Sequence, residues 1–139
     1  MNAGSERGFI ATELAMGLGL LVFPVALLVL TLPGWSERQA TARVISREVA
    51  RRIAREGVCD RAAARALGAT MARNLGVPAD GFDVDVTCPG GAELTPGADV
   101  EARVTVQMPA VNIPGIGAVG AWSWTARHRE PVDRYGAAP

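Results

Sequence analysis

Residues 14–36 read LAMGLGLLVFPVALLVLTLPGWS, and no charged residue interrupts them. Thr31 is the only hydroxyl before Ser36. At 1.5 Å per residue, about 20 helical residues cover the ~30 Å of a bilayer's hydrocarbon. The run is too long for the apolar part of a secretory signal, and no small-x-small cleavage site follows it. It therefore predicts a retained transmembrane helix. Pro24 removes a backbone donor and clashes with the preceding turn, which predicts a kink or local melting at mid-span. Pro33-Gly34 predicts a break or bend at the exit. Gly17 and Gly19 are too close together to make a GxxxG packing face.

The rest of the composition fits one anchor plus one small domain. The chain has 139 residues, 49% of them hydrophobic but only 5% aromatic, so much of the apolar character sits in this one run. Formal net charge is zero, which argues against nucleic acid as a partner. One histidine, His128, and two cysteines are too few for a zinc centre and leave no choice of triad partners. No nucleophile–base–orienter set is visible, so the chain reads as a non-enzyme with no cofactor and no metal.

Upstream, the apolar stretch begins at Phe9, and Glu13 lies inside its first turns. An acid at membrane depth costs about 3 kcal/mol on an insertion scale. Gly8-Phe9 followed by Glu13 resembles the class III signal of type IV pilins and pseudopilins. In that family a prepilin peptidase cuts after a glycine and N-methylates the next residue, and a glutamate stands fifth in the mature chain. The resemblance makes residues 1–8 a leader, Gly8–Phe9 the cleavage and methylation site, and Glu13 the assembly acid. It implies that the acid of one subunit pairs with the terminal amine of another. The apolar run, then Arg38-Gln39-Ala40 and Glu48-Val49-Ala50-Arg51, and the tail Glu130-Pro131-Val132-Asp133 are similar to TadE-type minor pseudopilins of the tight-adherence (type IVb) pilus system. Bulk pilins of that system carry Glu-Tyr here and almost no head. Leu14 after Glu13, and the hundred or so residues beyond the span, favour a minor subunit.

Beyond the membrane, Ser36 reads as a helix N-cap and 37–56 as a helix. Ala40, Val44, Ile45, Val49 and Ile53 share its apolar face. Arg43, Arg47, Arg51 and Arg55 form a stripe that suits a solvated face, anionic lipid or an acidic neighbour. Glu48 stands four before Arg52, the favourable order for a helical ion pair. Gly57 ends this helix, and Asp60 caps a second one running to Leu75, stopped by Gly76-Val77-Pro78. The period then becomes two. Residues 82–87, 100–107 and 121–128 read as three antiparallel strands packed on helix, with a Pro- and Gly-rich loop over 109–120. Asp83 and Asp85 read as a solvated strand face, Trp122 and Trp124 as sheet core, and His128 as a solvated strand end. After Arg129 the chain is expected to fray.

The two cysteines, Cys59 and Cys88, allow one bridge within the head. The resemblance puts that head outside the cytoplasm, where bridges persist. Counting arginines on either side of the span points the other way, toward a cytoplasmic head. The expected architecture is an α+β membrane protein: leader 1–8, transmembrane helix 9–35, extracytoplasmic head 36–128 and flexible tail 129–139. The implied partners are prepilin peptidase, other pilin and pseudopilin subunits, an inner-membrane assembly platform and the lipid bilayer. A single-pass anchor whose head scaffolds some other membrane complex is the alternative.

Overall fold

A helix satisfies every backbone group within the segment, the arrangement that an apolar run such as 14–36 requires wherever water is excluded. In the computed structural model, which describes residues 5–113 and 117–133 with side chains from Thr12 onward, helix α1 runs over Ser5–Glu56, 52 residues. Its N-terminal part is long and apolar enough to cross a membrane. Residues 1–4 of the expected leader and 134–139 of the expected tail lie outside the described residues, as does the side chain of Phe9, so the expected Gly8–Phe9 cleavage site is described only in its backbone.

Helix α1 departs from expectation at both prolines. It is unbroken through Pro24 and Pro33, and Ser36 is a mid-helix residue rather than a cap. A proline forfeits one ladder bond, and the helix carries on through both. Near Pro33 the Thr31 hydroxyl donates to the Leu28 carbonyl at 3.0 Å, and just beyond it Trp35 Nε1 donates to the Pro109 carbonyl at 3.2 Å. Helix α1 stops where expected, at Gly57, whose φ of +67° only glycine adopts without strain.

The chain divides into two units, Met1–Pro33 and Gly34–Pro139. In the first, every side chain from Thr12 to Leu30 is exposed except the half-buried Leu27. In the second, the buried positions of α1 are Ala42, Ile45, Ser46, Val49, Ala50, Ile53 and Ala54. Ala40 and Val44, expected on this face, point to solvent instead. The observed stripe interleaves one large residue with small ones. Small side chains admit close approach by the sheet, and the large ones fill what remains.

Helix α2, Arg61–Asn74, begins as expected: Asp60 Oδ1 accepts from the Ala63 N–H at 2.9 Å. A 3-10 turn over Ala79–Gly81 leads into strand β1, Phe82–Thr87. Strand β2 is Asp99–Gln107, β3 Val111–Ile113, β4 Gly117–Val119 and β5 Ser123–Pro131. The main sheet is antiparallel with order β1-β2-β5, meeting the expectation of three antiparallel strands. Two boundaries move. The expected loop 109–120 carries a two-stranded ribbon, β3-β4. The last strand starts at Ser123 and runs to Pro131, so its end crosses the 128/129 boundary expected between head and tail. Register explains that: Arg129 pairs with Glu101, Glu130 with Val100 and Pro131 with Asp99, a ladder that holds the strand in place.

The core lies between this sheet and the helices. Val84 and Val86 of β1, Val100, Ala102, Val104 and Val106 of β2, and Ala126 of β5 all turn inward. Val132, just past β5, is buried with them. Helix α2 covers the outer edge of β1, where Arg61 Nε donates to the Val86 carbonyl at 3.2 Å and Arg65 Nε to the Val84 carbonyl at 3.3 Å. Two guanidinium groups thus complete hydrogen bonds that an edge strand would otherwise leave open.

Candidate functional site

The first unit offers one chemically distinctive group. Glu13 is exposed, and Leu14, Gly17, Leu18 and Leu21 line the shallow groove beside it. Gly17 is one helical turn on, on the same face, and its missing side chain leaves open space: nothing beyond the helix's own neighbouring backbone lies within 4 Å of where a Cβ would stand. The arrangement presents a carboxylate over a notch where the uncharged stretch 14–36 of the helix begins. Such a group demands a cationic or hydrogen-bonding partner when it enters hydrocarbon.

In the second unit, Cys59 and Cys88 form a disulfide with Cα atoms 6.2 Å apart. It joins the segment after α1 to the end of β1. Hydrogen bonds reinforce the corner: Cys59 N–H to the Ala92 carbonyl at 2.7 Å and Leu94 N–H to the Gly57 carbonyl at 3.0 Å. This pairing was allowed by the cysteine count, and the structure realises it.

Comparison with protein-family models, with curated proteins and with solved structures gave no match. The site must be read from its own geometry.

The solvent face of the sheet is polar in every strand. Asp83 and Asp85 are exposed there, as expected, and among the described residues no group of acids, histidines or cysteines is arranged to hold a metal ion. The feature missed from sequence is Glu101. Its carboxylate is held by Arg103 Nε at 2.6 Å and by Arg129 Nε at 2.7 Å. These hydrogen bonds, first from Arg129 and then from Arg103, keep its pKa below the ordinary carboxylate value, and Glu101 in turn raises that of Arg129. Alternation in 100–107 does place Glu101 and Arg103 on one face. Arg129, however, falls in the expected tail, 129–139, so local pattern alone does not reveal the second arm of the clamp.

The arginine stripe of α1 is exposed, with Arg43 stacked 5.1 Å from the ring centroid of Trp124. The Glu48–Arg52 pair does not form. Arg52 Nε bonds Glu56 Oε1 at 2.6 Å instead, the opposite order along the helix. Both ends of that pair are well exposed, so it contributes little stability. Trp124 is half-buried and packs against the core, as expected, whereas Trp122 is exposed rather than sheet core. His128 lies inside β5, half-buried, with Nε2 3.0 Å from Glu130 Oε2, rather than at a solvated strand end.

Proposed function

We propose that this chain is a minor pilin or pseudopilin subunit of a tight-adherence type IVb pilus, cleaved by prepilin peptidase and contributing to pilus assembly or adhesion. The observation that carries the reading is Glu13, an exposed acid followed along α1 by 23 residues, 14–36, that hold no charge. A carboxylate in that position costs energy in a static anchor and is useful where helices must find a defined register. Cleavage between Gly8 and Phe9 frees an α-amino group one turn before Glu13, which supplies the cation that the carboxylate of a neighbouring subunit needs. The head then faces outward, where the Cys59–Cys88 bridge is stable. The protein does no catalysis; it is the substrate of a peptidase and a building block.

The test is the N-terminus of the mature protein, read by mass spectrometry from cells with an active prepilin peptidase. The expected result is a chain that starts at an N-methylated Phe9. A chain that still starts at Met1 or Asn2 in those cells rules the proposal out.

A further inference from the structure

From residue 104 to residue 126 the chain carries no charged residue. The middle of that stretch builds the β3-β4 ribbon, with Val111 opposite Val119, Asn112 opposite Ala118 and Ile113 opposite Gly117. Ala118 and Val119 are exposed, and so is Trp122 where the ribbon returns to the sheet. Two short strands are barely stable in water by themselves, and an apolar pair of them exposed to water has more to gain from a second surface.

The place of the ribbon's base says which surface. Pro109, at its start, accepts the Trp35 indole N–H at 3.2 Å, and its ring lies 3.6 Å from where a Gly34 side chain would begin. At its end, Trp122 meets Trp35 edge to face, with ring centroids 6.0 Å apart. The Met108 N–H closes the base on the Trp122 carbonyl at 2.8 Å. Gly34 and Trp35 follow directly on Pro33, the last residue of the apolar unit. Chain connectivity alone therefore keeps the ribbon's base within a few ångströms of the point where the span leaves the hydrocarbon, since two helical residues rise about 3 Å. Tryptophan is the residue that favours that depth, apolar in body with one donor for the wet side. Arg43 over Trp124 comes two turns later along α1, where a guanidinium meets lipid phosphates.

We infer that the β3-β4 ribbon, with Trp122 and Trp35 at its base, is a second membrane contact, resting in the headgroup layer of the bilayer that α1 spans. This contact rests on the reading of α1 as an inserted span. It makes the head a lipid-seated unit that must be lifted off the bilayer whenever the helix is withdrawn.

The test uses the full chain, reconstituted in phosphatidylcholine–phosphatidylglycerol vesicles at high lipid-to-protein ratio. An environment-sensitive dye is placed on one new cysteine at a time: Val119→Cys, Ala118→Cys, Asp99→Cys at the far end of β2, or Leu20→Cys in the span. Mass spectrometry verifies an intact Cys59–Cys88 bridge in each. Nitroxide lipids, shallow or deep, quench the dye by contact. Deep nitroxide should quench Leu20, and shallow nitroxide should quench Val119 and Ala118 severalfold more than Asp99, with blue-shifted emission. Quenching at Leu20 with Val119 and Ala118 no more quenched than Asp99 overturns the ribbon contact and leaves the span intact. No quenching at Leu20 overturns both. Val119 shielded from nitroxide and cross-linking to a second copy assigns the ribbon to self-association and also overturns the inference.

Discussion

At the scale of single residues, Gly68 shows how space can outweigh propensity. It lies mid-helix in α2, and a Cβ there would stand 2.6 Å from Val84 Cγ2 and 3.4 Å from Phe82 Cζ. Alanine normally gains about 1 kcal/mol over glycine in a helix. Here the added methyl meets a stiff, buried valine, so Gly68→Ala should instead destabilise the head by about 1–3 kcal/mol, the range for overpacking, as measured by denaturant unfolding. Glu101 makes the complementary electrostatic case. Its folded pKa is depressed, so the clamp stabilises the head fully above the ordinary value of 4.5 and loses that stabilisation as pH falls through the lower folded value. Glu101→Gln should therefore lower the melting temperature at neutral pH and shrink the wild-type loss of stability on acidification below that range. A pH series of thermal melts on both chains checks the sign.

At the scale of elements, the relation between α2 and β1 is the most exposed to test. Arg61 and Arg65 lie four apart, one turn of α2, and their guanidiniums reach carbonyls two residues apart on the strand edge, those of Val86 and Val84. Removing both side chains leaves two edge carbonyls to water or to another strand. The double variant Arg61→Ala with Arg65→Ala should cost about 1–3 kcal/mol in unfolding free energy. It should also raise the tendency of the head to associate through β1, which light scattering reads directly. Helix α1 teaches the opposite point about elements. Its two helical stretches are legible from hydropathy and arginine spacing, but neither its continuity through Pro24 and Pro33-Gly34 nor its buried face is. Val44 looked like core because it is large and apolar, whereas Ser46 and Ala42 are buried because they are small.

At the scale of the whole chain, the Cys59–Cys88 bridge closes a loop 29 residues apart in sequence. By chain entropy such a loop is worth ~3–4 kcal/mol, a large share of the stability of a small domain. Reduction, or Cys59→Ser with Cys88→Ser, should lower unfolding free energy by about that amount, with the head still folding at low temperature. The whole-molecule arrangement also explains why the ribbon escaped sequence reading. Its proline and glycine content signals loop, and only pairing across the turn reveals two strands. Glu13, by contrast, is conspicuous in the sequence, because one charge in an apolar run departs from its surroundings.

The sequence by itself determined the apolar helix, the place of Glu13 within it, the capped second helix, the two-residue periodicity of the sheet and the availability of one bridge. Each depends on local pattern: helix and strand periods, capping chemistry and turn residues act over a few positions. Only the tertiary structure decided which face of α1 is buried, that Pro33-Gly34 stays helical, that β5 runs to Pro131, that Arg129 closes on Glu101, and that Trp35 and Trp122 meet edge to face. Those features join residues far apart in the chain, and their energies exist only once packing and strand register have brought the partners within reach.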